Sequence, residues 1–126
     1  MIKEAYVSFE VAKLLKEKGF NESCWLKYDN EGYLSFNHVG YINSEEPCDD
    51  FCALAPTHQM AMKWLREKYY IHADPIKQGN YNDCSEYYSW IVSQMGIIHR
   101  NPSVADKLSY EEAVEAALKY VLKNLI

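Results

Sequence analysis

Apolar residues recur with two different periods along this chain. In VSFEVAKLLKEKGF (7–20), Val7, Val11, Leu14 and Leu15 stand four, three and one apart, which is one stripe of a helix. Ser8 is placed to cap that helix with its hydroxyl, and Gly19 to end it in the left-handed conformation. THQMAMKWLREKYY (57–70) predicts a second helix, with Thr57 as cap and Ala61, Trp64, Leu65 and Lys68 along one face. SYEEAVEAALKYVLKNLI (109–126) predicts a third. There Ser109 and Glu112 have capping-box spacing, and Val114, Ala117, Leu118, Val121, Leu122 and Leu125 repeat at three and one.

The other period is two. CWLKY (24–28) and YLSFN (33–37) alternate around the turn residues DNEG, which predicts a hairpin. IHADPI (71–76) reads as a short strand that Pro75 ends or pushes to a sheet edge. EYYSWIVSQM (86–95) is the strongest strand signal: Tyr88, Trp90 and Val92 share one face, Tyr87 and Ile91 the other. Bulk on both faces predicts a central position. Residues 38–56 and 79–85 read as loop. LLKEKGF (14–20) and WLREKYY (64–70) align without a gap, which suggests a repeated unit of helix plus hairpin.

The expectation is therefore α+β, a single domain over residues 1–126 in the order α-β-β-α-β-β-α. One mostly antiparallel sheet of about four strands would carry its helices on one face. A chain of 126 residues buries enough surface to need neither disulfide nor metal for a core. The net charge is −5, all of it in residues 1–56, which hold five basic and ten acidic residues. No basic stripe is visible, which argues against a nucleic-acid partner. The opening MIKEAYVSFE has no signal-peptide pattern, and no run approaches the about 18 apolar residues of a membrane span. The expected place is the cytoplasm, where Cys24, Cys48, Cys52 and Cys84 stay as thiols.

Three blocks, SFEVAKLLKEKGF, APTHQMAMKWLREKYYI and YEEAVEAALKYVLKNLI, resemble short uncharacterised proteins of gut Bacteroidales genomes and their prophage-like elements. They cover a little over a third of the 126 residues. The resemblance implies a cytoplasmic protein of bacterial or phage origin; it implies no activity and no catalytic residue.

Candidate chemistry centres on PCDDFCALAPTH (47–58). Cys48, Cys52 and His58 have ligand types that suit zinc, but no second pair follows at metal spacing, so a loop with core-facing thiols is the simpler reading. Glu45, Glu46, Asp49 and Asp50 lack the alternation and glycine of a calcium loop, and read as solvated charge. A cysteine nucleophile would need a nearby base. His38, His58, His72 and His99 lie in separate segments, and His58 is expected in the first turn of its helix, where the dipole favours the neutral ring. His72 and Asp74 would share one side of a strand, a pairing used in acid–base work and also common at surfaces. The five glycines are scattered, which argues against a phosphate loop. No metal or cofactor is therefore assigned.

Eleven tyrosines, against three tryptophans and four phenylalanines, suit half-exposed sheet faces or a contact surface. The preferred expectation is a non-enzymatic protein-interaction or accessory module that can form a homodimer. The alternative is an enzyme or metal-binding protein whose Cys and His residues, Cys48, Cys52 and His58 first among them, are gathered by the fold.

Overall fold

A computed structural model of the chain describes residues 2–36, 53–79, 86–102 and 107–126. Over those residues the order is α1 (Phe9–Glu17), β1 (Leu26–Tyr28), β2 (Leu34–Phe36), β3 (Ala53–Leu54), α2 (His58–Tyr69), β4 (Ile71–Gln78), β5 (Tyr87–Gln94), β6 (Ile97–Arg100) and α3 (Tyr110–Asn124). The architecture is α+β with antiparallel pairing throughout. It differs from expectation in having two three-stranded sheets, β2-β1-β3 and β4-β5-β6, rather than one sheet of about four strands. Each sheet gains one strand. β3 is two residues long, too short to show alternation. β6 follows a two-residue turn, Met95-Gly96, in place of the Asn-Gly pair that usually marks such hairpins.

The three helix starts are built as the sequence implies. Ser8 Oγ accepts from Val11 N–H at 3.2 Å and Thr57 Oγ1 from Met60 N–H at 3.1 Å. Ser109 and Glu112 form the reciprocal box, at 2.9 and 3.1 Å. At the end of α1, Phe20 N–H donates to Leu15 O and Gly19 N–H to Lys16 O, with Gly19 at φ +89°. That is the double closure glycine permits without strain. α2 also ends on a left-handed residue, Tyr70 at φ 57°, whose N–H donates to Arg66 O at 3.2 Å; a side chain makes that backbone unfavourable.

In the β1–β2 turn, Asp29 Oδ1 accepts from Glu31 N–H and Tyr33 N–H, both at 2.9 Å, and Gly32 takes φ +89°. β5 is central, as its two bulky faces imply. β4 runs through Pro75 and is an edge strand. Trp90, opposite Pro75, turns its backbone the other way and accepts from Asn101 N–H at 3.3 Å, so the missing proline N–H removes no bond between β4 and β5.

α3 lies across β4 and β5 and also meets α1 and α2, while α1 covers β3. Of the rings of EYYSWIV, Trp90 is buried and Tyr87 and Tyr88 are half-buried. Trp90 packs on Tyr120 with centroids 5.0 Å apart, and Tyr88 meets Tyr110 edge-on at 5.3 Å. Val92, Leu118, Val121 and Leu122 are fully buried beside them. A second part of the core joins Leu15, Phe20 and Leu65 to Trp64, which Phe20 meets edge-on at 5.3 Å. Glu10 on α1 pairs with Lys119 and Lys123 on α3, at 3.1 and 3.0 Å. Among the described residues no helix is long and apolar enough to cross a membrane.

Candidate functional site

Residues 5–7 run antiparallel to residues 56–58. Val7 N–H donates to Pro56 O at 3.0 Å, His58 N–H donates to Ala5 O at 2.9 Å, and Tyr6 pairs with Thr57. Because Ser8 and Thr57 are helix caps, this short pairing lays the N-termini of α1 and α2 side by side. Glu115, in the second turn of α3, reaches across both. Its Oε1 accepts from His58 Nε2 at 2.7 Å and from Ser8 N–H at 2.8 Å; its Oε2 accepts from Ser8 Oγ at 2.8 Å.

Burial alone would push the Glu115 carboxyl up. The hydrogen bonds from His58 and Ser8 outweigh it and hold the group below the ordinary 4.5. Two helix N-termini also favour an anion here. An ionised carboxylate only accepts, so the proton between the two side chains sits on His58 Nε2. His58 Nδ1 is buried and has no hydrogen-bond partner among the described residues.

A cleft of about 540 Å³ opens beside this cluster, with Tyr6, Leu108, Glu115 and Lys119 in its walls. A histidine held by a carboxylate at a cleft is the arrangement of a general base. Two features work against that use. The Ser8 hydroxyl donates to the carboxylate, not to the imidazole, and so is not an activated nucleophile. The ring nitrogen left for a substrate, Nδ1, is closed off from solvent. The polar groups are satisfied by one another, and the result is a tie between α1, α2 and α3.

His58 thus occupies the expected first turn of α2 but is buried, and its partner is a glutamate. Cys48 and Cys52, its expected companions, lie outside the described residues, as do Cys84, His38 and the acidic quartet of Glu45, Glu46, Asp49 and Asp50. Cys24 is buried, with Sγ 3.4 Å from Glu22 O and 3.9 Å from Met60 Sδ. Burial, helped by the charge of Glu22, pushes its thiol up to about 12. His72 and Asp74 do share the outer face of β4, where both are exposed. His99 meets Tyr120 Oη through Nδ1 at 2.9 Å. Among the described residues no group of three or more His, Cys, Asp or Glu side chains could hold a metal ion. Glu115 was not singled out from the sequence, because on α3 it reads as one more polar position beside the apolar stripe.

A different kind of surface lies at one end of the second sheet. The register pairs Ile71 with Gln94, so Tyr70 and Met95 flank the same end. They are the two non-glycine residues with positive φ among those described, 57° and 48°. Both side chains are out in solvent, Tyr70 by 72% and Met95 by 87%, and Ile97 and Ile98 on β6 follow at 61% and 55%. Tyr33, Leu34 and Phe36 are exposed as well, but β2 leads straight into residues outside the described set, whereas the β5–β6 hairpin is described on both strands. No family model, curated protein or solved structure matches the chain.

Proposed function

We propose that this is a small non-enzymatic contact module of bacterial or prophage origin, acting in the cytoplasm by self-association. The observation that carries the reading is the apolar end of the second sheet. Four large apolar side chains stand in water there, and two of them sit on left-handed backbone that glycine or asparagine would adopt at lower free energy. The backbone at Tyr70 and Met95 closes α2 and the β5–β6 turn, but large exposed side chains at these positions serve a binding surface and not the fold. Sedimentation equilibrium from about 10 μM to about 1 mM tests it, a range that brackets weak dimers. The apparent mass is expected to climb from 14.7 kDa toward twice that value. An ideal monomer across the range refutes the reading.

The paired His58 and Glu115 favour a second reading, an acid–base enzyme working in the adjoining cleft. The engaged Ser8 hydroxyl and the closed-off Nδ1 make it the weaker of the two. Crystals soaked with small esters, amides and sugars would revive it if any ligand displaced the contact between His58 and Glu115.

A further inference from the structure

The exposed hairpin carries information about how a second copy would sit. In β5, Tyr88 N–H and Trp90 O bond toward the β6 side, to Leu108 O and from Asn101 N–H. Alternation along the ladder then makes Ile97, His99 and Asn101 the residues of this strand that bond inward to β5. Ile98 and Arg100 turn their backbone N–H and C=O groups outward. β6 is the edge of its sheet, and no isolated bridge involves residues 97–100 among those described. The edge has neither bulge nor proline within it, and its side chains are Ile97, Ile98, His99 and Arg100. Unpaired N–H and C=O groups at a sheet edge are a template for a further strand, and the shortness of β6 and the charge of Arg100 restrict which strand can pair there.

We infer that β6 pairs antiparallel with β6 of a second copy about a two-fold axis at His99, joining the two sheets into one of six strands. The inference rests on the contact-module reading and specifies its geometry. With the axis at His99, Ile98 lies opposite Arg100 of the second copy, and Arg100 opposite its Ile98. Each of these pairs exchanges two backbone hydrogen bonds, with Cα atoms about 5.5 Å apart. At the axis His99 faces His99 of the second copy, and Arg100 faces no cation. Ile97 lies opposite Asn101 of the second copy and the Met95-Gly96 turn beside its Pro102, so each apolar tip meets the other copy and the dimer holds two such contacts. The strand edge together with Met95, Ile97 and Ile98 offers on the order of 500 Å² per copy, or about 1,000 Å² in all, the lower bound of specific interfaces. A foreign peptide strand would meet one apolar tip instead of two and bury about half of the apolar side-chain area. A second copy is the occupant that fits.

The register has a charge signature. Ile98→Lys and Ile98→Glu remove the same apolar side chain at a position already 55% exposed, so both variants fold. In the proposed register the lysine meets Arg100 of the second copy twice per dimer, and the glutamate meets it twice. Opposite charges placed directly across strands attract and like charges repel. The dimer constant of Ile98→Lys is therefore expected to be weaker than that of Ile98→Glu by about tenfold or more, a gap that narrows in high salt. Both are measured by sedimentation equilibrium, with urea midpoints as the control for folding. If both variants weaken equally, or neither changes, the paired register is wrong while self-association stands. If the wild-type chain is itself monomeric throughout, the contact-module reading falls and takes this inference with it.

Discussion

Replacing Glu115 by glutamine keeps the shape of the side chain and removes its charge, which isolates what the three donors around it contribute. The carboxylate takes hydrogen bonds at 2.7, 2.8 and 2.8 Å from His58 Nε2, Ser8 N–H and Ser8 Oγ. Glutamine offers one acceptor oxygen and two N–H donors, so at least one of the three loses its partner or is met by another donor. His58 cannot adapt freely. If it turns a lone pair toward the glutamine, its remaining proton moves to Nδ1, which is buried without a partner. Hydrogen bonds to charged groups contribute about 1.5–3 kcal/mol each, and an orphaned buried donor costs about 1–3 kcal/mol. The expected loss for Glu115→Gln is about 2–4 kcal/mol, a large share of the roughly 5–15 kcal/mol that holds a domain folded. Urea unfolding at neutral pH should show it as a lower midpoint with an unchanged slope. The pH dependence supplies a second arm. The folded carboxyl titrates below its ordinary 4.5, so its stabilisation is complete above that value and is lost as pH falls through the lowered folded value. The gap between wild type and Glu115→Gln should therefore be present at neutral pH and close in strong acid. A loss under about 0.5 kcal/mol, the level of an ordinary surface change, or a gap that ignores pH, would refute the account of this cluster.

Gly32→Ala should destabilise by about 1–3 kcal/mol in the same assay, because it adds strain at φ +89° and sets a Cβ 2.9 Å from the Phe9 ring. Met95→Asn should stabilise the isolated chain by about 0.5–1 kcal/mol, since asparagine tolerates the left-handed first position of a two-residue hairpin turn. It should also weaken any dimer, measured by sedimentation, because Met95 lies at the proposed seam. With Cys48, Cys52 and Cys84 changed to serine, Cys24 should resist thiol reagents at pH 8 until urea unfolds the chain. Its thiol sits near 12 when folded, and only the thiolate reacts.

Local chemistry was legible and distant chemistry was not. Ser8, Thr57 and Ser109 announce their helices because a cap bonds within three residues of itself. The faces of β5 followed from simple alternation, and so did its central place. β1 and β2 are as short but flank the turn residues DNEG; β3, two residues long, and β6, entered through Met95-Gly96, have no such turn to announce them. Alternation put Tyr88 and Trp90 on one face of β5, and there they meet Tyr110 and Tyr120 of α3, partners that no pattern within the strand names. His58 was placed correctly on its helix, yet its partner lies 57 residues away, and no spacing rule links the two.

Glu115 fastens Ser8 across 107 positions, and Lys123 fastens Glu10 across 113. During translation at about 5–20 residues per second, the start of α1 leaves the ribosome some 5–20 s before the side chain that anchors it. Through that interval the pairing of residues 5–7 with 56–58 and the first sheet can form, but the faces of α1, α2 and β5 that α3 covers stay open. Completion of the fold is thus a late and concerted event. A nascent chain stalled before residue 110 presents Val92, Trp90 and the helix faces beside them to whatever chaperone or protease is nearby.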